Sequence, residues 1–296
     1  MPGMKSAVKA SLMKTYLASG IPRARTRISA ALGRGRLTVI TYHQVQDPAD
    51  DGSSVGIAAF QQQMEYLRDA YQVVPLGEAV KRLARGRPPD RLVAITFDDG
   101  YLDNAATAAP IMYRLGLPAT FFVSTDMIGS TRPFPHDLDR RRPPQAHMSW
   151  DDLRRLSADG FDIGSHTCSH ADMGAITLDQ ARMELRDSRD KLEAELRQPV
   201  RLFAFPYGRR RNMRPDTMAA ARQAYEVCCS AYGGHNQTPP DPGNIRRIVI
   251  SSGVSFLAFR ALLEGWPMVR LTNRTPVAVD VARVGRDAGT SPAKVP

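Results

Sequence analysis

Between residues 37 and 265, short runs of β-branched and aromatic residues alternate with segments of helical periodicity, and this alternation restricts the fold more than any other feature of the chain. Such a pattern describes parallel strands joined by helices. The strand candidates are LTVITY (37–42), LVAITF (92–97), PATFFV (118–123), FDIGSH (161–166), RLFAFP (201–206), YEVCCSAY (225–232) and IRRIVI (245–250). Seven strands suggest an irregular barrel rather than an open sheet, and the segment is an ordinary size for one α/β barrel.

The clearest helix spans 177–197, where Leu178, Ala181, Leu185, Ser188, Leu192 and Leu196 trace one face and Thr177 with Gln180 forms a capping-box pattern. Further helices are expected near 58–70, 76–86, 102–115, 150–158, 215–224 and 254–264. The stretch 132–145, rich in Pro and Arg, reads as a loop at the rim of a substrate cleft. Three units follow: a basic helical segment over 1–36, a catalytic domain over 37–265, and a poorly ordered tail over 266–296.

In the first unit, Met4, Val8, Leu12 and Tyr16 recur at helical spacing opposite Lys5, Lys9 and Lys14, and no acidic residue precedes Asp47. Such a basic amphipathic helix either packs on the barrel or makes peripheral contact with an anionic membrane surface. Lys, Arg and Ser interrupt every apolar stretch here, so neither a signal peptide nor a membrane span is recognised. The expected location is cytoplasmic, with peripheral association at the inner membrane surface. Cys168, Cys228 and Cys229 are the only cysteines, which is no disulfide framework and agrees with a reducing compartment. A formal net charge of +10 could point to nucleic acid, but no nucleic-acid motif accompanies it, and none is expected as a partner.

Three strand ends carry the chemistry. LVAITF runs into Asp98, Asp99 and Gly100, placing two carboxylates at the end of a barrel where active sites sit. Adjacent residues point in different directions, so one carboxylate can bind a metal while the other stays free as a base. The second strand end, IGSHTCSH, spaces His166 and His170 so that one helical turn would bring them together, with Cys168 between them facing away. At the third, FAFPYG, Pro206 and Gly208 fix a backbone whose amide can point into a cleft. Taken singly, each has a plain structural reading as a turn, a surface pair or a strand exit.

Taken in order, ITFDDG, IGSHTCSH and FAFPYG resemble the polysaccharide deacetylase family, the NodB-type domain of carbohydrate esterase family 4. VITYHQV near the start and RRIVI near the end are similar to the branch found with surface-polysaccharide biosynthesis and export. The resemblance implies a single-domain α/β fold, a distorted (β/α)7 barrel. It also implies hydrolysis of an N-acetyl group on an amino sugar of a surface polysaccharide or its precursor, with a divalent metal, most often zinc, with cobalt or nickel as substitutes. By the same resemblance Asp98 matches the general base, Asp99, His166 and His170 the metal ligands, and Tyr207 the residue whose backbone amide helps hold the oxyanion. Pro206 and Arg247 are grouped with substrate binding.

The pattern departs from the family in two places. Many relatives carry an Arg two residues before the Pro of the third motif to pair with the base, and here that position is Ala204. Strand alternation turns Arg201 away from the vacated place, so Arg247 is the expected source of the charge, ahead of Arg246. The late Leu-x-His motif that supplies a general acid is also missing, since no His follows His235. His43, at the end of the first strand, is the leading candidate for that role, followed by His235 and then by His136 and His147. Alternative readings are a deformylase or deacetylase of a lipid-linked sugar or non-sugar amide, or a glycan-binding barrel with impaired catalysis.

Overall fold

The computed structural model describes residues 3–33, 35–49, 52–86, 91–139 and 143–266. Six strands lie side by side and parallel: β1 (Arg36–Tyr42), β2 (Leu92–Phe97), β3 (Thr120–Val123), β4 (Asp162–Ser165), β5 (Leu202–Ala204) and β6 (Val227–Cys229). A seventh segment closes the ring. Ile245 bridges Cys229 in parallel, and β7 (Ile248–Val249) pairs in parallel with Ile40 and Thr41 of β1. The fold is therefore the expected distorted (β/α)7 barrel in one domain.

The distortion lies in how β1 and β2 share their edges. Early in β2, Leu92 and Val93 pair with Gln72 and Val73, and only Thr96 and Phe97 meet β3. On the other side, the start of β1 pairs antiparallel with Asn236–Gln237 and only its later part meets β7.

Period-two alternation sorts the strand residues into two layers. Leu37, Val39, Leu92, Ala94, Leu202, Ala204, Val227 and Cys229 face inward and pack with Phe122 and Ile245, while Leu76, Ala79, Val80 and Leu83 of the helix Leu76–Ala84 join that cluster. Ile40, Tyr42, Val93, Ile95, Phe97, Phe203 and Cys228 face outward into the larger core beneath the surrounding helices. Helices occupy Ile57–Ala70, Trp150–Ala158, Leu178–Leu196, Pro215–Ala224 and Phe256–Leu263, with Thr177 and Gln180 forming the expected capping box. The segment expected as one helix over 102–115 contains a π-helical turn at Asn104–Ala108 before the helix Ala109–Arg114.

The N-terminal unit forms helices Gly3–Ala18 and Ile21–Ala31, but its packed face differs from the expected stripe. Met13 is buried and Leu17 packs against the core, whereas Val8 and Leu12 lie in solvent. The tail from residue 267, the side chains of Met4 and Lys5, and Arg140–Arg142 lie outside the described residues.

His235 is pulled to the start of β1, where its Nδ1 lies 2.8 Å from Thr38 Oγ1. Burial, then the charges of Arg36 and Arg25, push its imidazole down to about 3. Its folded value is depressed below the unfolded one, so the neutral ring's contribution is intact above about pH 6.5 and is lost progressively as pH falls. Between about pH 7.5 and about pH 5 this amounts to about 2 kcal/mol. His235→Gln should therefore show a smaller drop in thermal midpoint across that interval than the parent; an equal drop would remove His235 as the acid-sensitive group.

Candidate active site

Asp98 extends the inward-facing series Leu92, Ala94 and Thr96, so its carboxylate enters the top of the barrel interior. There it meets Arg247, which is fully buried. Arg247 Nη1 donates to Asp98 Oδ1 at 2.6 Å and Nη2 to Oδ2 at 2.8 Å, a bidentate pair. Arg247 Nε donates to the Ser230 carbonyl at 3.0 Å and Nη1 also reaches Thr96 Oγ1 at 3.2 Å and Thr41 Oγ1 at 3.3 Å, and the group lies over the Phe122 ring. Arg247, grouped with substrate binding by the sequence, is spent on Asp98 in this structure. Arg201 turns outward to Glu226, and Arg246 is exposed. Burial alone would raise the Asp98 carboxyl, but Arg247, His166 and His43 together outweigh it and hold the group below its ordinary value.

The next residue leaves the strand geometry. Asp99 has a positive φ of 73° and Gly100 follows at 77°, where an added Cβ would come within 3.0 Å of Val123. This turn carries the Asp99 carboxylate away from the interior toward two imidazoles, with Oδ1 3.4 Å from His166 Nε2 and 3.2 Å from His170 Nε2. The three ligand atoms lie within 4.8 Å of one another, all on buried residues, and form the only such group among the described residues. The separations suit ligands about 2.1 Å from one shared divalent ion. His166 Nδ1 lies 2.7 Å from the Ala204 carbonyl, which fixes the ring and leaves Nε2 for the cluster. Burial lowers the His170 imidazole against the opposing pull of Asp99, and Asp99 itself, despite burial, is held well below the usual carboxylate range by both histidines. An anionic oxygen with a neutral nitrogen ligand is the donor set a cation requires. Cys168 stands apart, with Sγ toward the Glu184 carbonyl and its thiol pushed up to about 11 by burial.

The third strand end is equally contorted. Tyr207 has φ 60°, closed by Gly208 N–H donating to the Pro206 carbonyl at 2.6 Å, a tight γ-turn. Pro206 is buried, while Tyr207 is 36% exposed with its ring 4.8 Å from that of His170. Of the six non-glycine residues with positive φ among those described, four (Asp99, Thr167, His170 and Tyr207) lie at this one site. Backbone strain concentrated in this way is typical of functional positions.

The four further histidines part company. His43, half-buried, is close enough for its charge to bear on both Asp98 and Asp99, and its Nδ1 has no hydrogen-bond partner among the described residues. His235 is at the opposite end of the barrel. His147 braces the rim loop, with Nδ1 3.1 Å from the Ser130 carbonyl and its ring stacked on Tyr101. His136, ranked low by sequence, stands over the cluster. Carried by the short helix Pro135–Asp139 and stacked on Phe134, it places Nε2 3.9 Å from Asp99 Oδ2 and its ring 5.2 Å from that of His170. Burial pushes it down to about 4 and its Nδ1 has no hydrogen-bond partner among the described residues, so it presents a neutral imidazole to the cleft. The only sequence signal for it was its position in the rim loop.

Residues 85–227 match the model of a family described as polysaccharide deacetylase. The protein YxkH of Bacillus subtilis (strain 168) is 27% identical over 234 residues, covering 77% of this chain and 76% of its own. The poly-β-1,6-N-acetyl-D-glucosamine N-deacetylase of Staphylococcus epidermidis is 27% identical over 251 residues, 77% of this chain and 82% of its own. Among solved structures, the Streptococcus pyogenes deacetylase PplD in complex with acetate superposes with a TM-score of 0.65 at 23% identity, over 77% of this chain and 97% of that one. IcaB from Ammonifex degensii gives 0.60 at 24%, over 79% and 97%. These structural likenesses establish the fold.

Proposed function

We infer that this chain, which belongs to the polysaccharide deacetylase family through residues 85–227, hydrolyses the N-acetyl amide of an amino sugar in a surface polysaccharide or its precursor. The observation that carries this reading is the division of labour between neighbouring carboxylates. Asp99 joins two imidazoles in a group suited to a cation, while Asp98 is kept out of that group by a buried guanidinium. A barrel that only bound glycan would have no use for such a second, ionised carboxylate. The name of the Staphylococcus epidermidis relative supplies the substrate class.

Asp99, His166 and His170 would hold the divalent ion, with zinc expected and cobalt or nickel as substitutes, and when bound it supplies Lewis-acid polarisation of the acyl oxygen and acidifies water. Asp98 takes the proton from the attacking water; the bidentate pair keeps it ionised and fixes the direction of its free lone pairs. The Tyr207 N–H, bonded by none of the described residues, donates to the oxygen that becomes negative as the carbonyl carbon turns tetrahedral. His43 delivers a proton to the departing amine from the Asp98 side. His136 hydrogen-bonds the sugar across the mouth, where Tyr207 and the exposed Leu138 give a ring apolar surface.

The test is acetate release from N-acetylglucosamine oligomers and lipid-linked precursors by chelated enzyme with zinc, cobalt or nickel added back. Add-back should raise the rate at least about 100-fold. His43→Gln should mainly lower kcat and His136→Gln mainly raise KM. Metal-loaded protein that binds a glycan yet releases no acetate from any substrate would leave a binding barrel as the answer.

A further inference from the structure

We propose that the two N-terminal helices form a docking face for an anionic lipid surface. Ten large apolar side chains stand exposed among the described residues, and five belong to this short stretch: Val8 and Leu12, each 55% exposed, Ile21 (59%), Ile28 (60%) and Leu32 (65%). All five are aliphatic. The same stretch is basic without exception: Lys5, Lys9, Lys14, Arg23, Arg25, Arg27, Arg34 and Arg36 precede the first acidic residue, Asp47. Lys9, Lys14 and Arg27 are exposed, and no carboxylate among the described residues pairs with them. No described helix is long and apolar enough to cross a membrane, so the match is to a helix pair lying on a lipid surface, apolar side chains in the acyl boundary and cations among acidic headgroups.

Other occupants fit less well. A second copy would bring one strongly basic face against another. A nucleic acid would use the cations but not five aliphatic side chains, and the one aromatic residue of these helices, Tyr16, is turned inward, its hydroxyl donating to the Glu264 carbonyl at 3.1 Å and its ring against Trp266.

The face is firmly tied to the barrel. Arg25 donates to the Glu264 carbonyl at 3.0 Å, and Arg36, the first residue of β1, to the Leu263 carbonyl at 3.1 Å, at the C-terminus of the helix Phe256–Leu263. This anchorage lies where β1 begins, and the Asp98 and Asp99 site lies where β1 and β2 end. Docking at one end of the barrel therefore leaves the catalytic mouth at the other end open.

Full-length protein sedimented with phosphatidylcholine vesicles, with and without phosphatidylglycerol, tests the proposal without reference to catalysis. Binding is expected only with phosphatidylglycerol present, and to weaken as salt is raised. The double variant Leu12→Glu/Ile28→Glu and the triple variant Lys9→Gln/Lys14→Gln/Arg27→Gln should each lower the bound fraction about 10-fold with the thermal midpoint unchanged, because the altered side chains are exposed. Three results would overturn it: no vesicle binding, binding equal on neutral vesicles, or binding undiminished in both variants. A lipid-independent dimer dispersed by Leu12→Glu/Ile28→Glu would overturn it too, assigning the face to a second copy.

Discussion

Asp98→Asn is expected to lower turnover by about 1,000-fold while bound metal stays at the parent level, because the proposed mechanism makes Asp98 the general base and leaves the ion to Asp99, His166 and His170. The geometry separates the two roles. Asp98 faces Arg247 inside the barrel, and Asp99 faces His166 and His170 across the positive-φ turn. His170→Ala should behave differently, losing metal and turnover together. Metal analysis alongside acetate release distinguishes the cases. Unchanged turnover in Asp98→Asn would sink the assignment of the base, and loss of metal from that variant would show that both carboxylates serve the ion.

Arg247→Met should be the most destabilising single change at the site, by about 3–5 kcal/mol, since it strands an ionised carboxylate in the barrel interior. The reason is asymmetric: a buried pair adds little net stability, but half of one costs a great deal. Adding Asp98→Asn to Arg247→Met should therefore recover much of the loss, and chemical denaturation of all four members of the cycle measures the coupling. Arg247→Lys keeps the charge but not the fork and should retain stability better than Met while lowering turnover. Additive effects in the cycle would mean that the two groups do not depend on each other.

Much of this was legible in the sequence, for identifiable reasons. Strand-like runs alternate with segments that repeat an apolar helical face, so an irregular barrel could be read from local pattern, while its (β/α)7 form came from the family resemblance. Arg247 could be anticipated because Ala204 left a known charge unfilled and the last strand was the remaining source of one. What failed was whatever depends on where a loop travels. The Gly-rich segment around His235 runs to the start of β1, and the rim loop folds His136 over Asp99 from a place with no periodicity to read. The N-terminal stripe failed for a different reason. Two apolar faces compete on that helix, and the one carrying Met13 and Leu17 reaches the helix Phe256–Leu263.

The barrel is completed by residues 245–250, and the same segment carries Arg247. As the chain leaves the ribosome, the carboxylate at position 98 emerges long before its counter-charge. Until the final strand docks, Asp98 lacks its buried counter-charge, so a protonated carboxyl or a water-filled interior would be favoured and the ring would stay unsealed. On the proposed mechanism, activity would be switched on by the same event that finishes the fold, and a chain released before residues 245–250 should be inert rather than partly active.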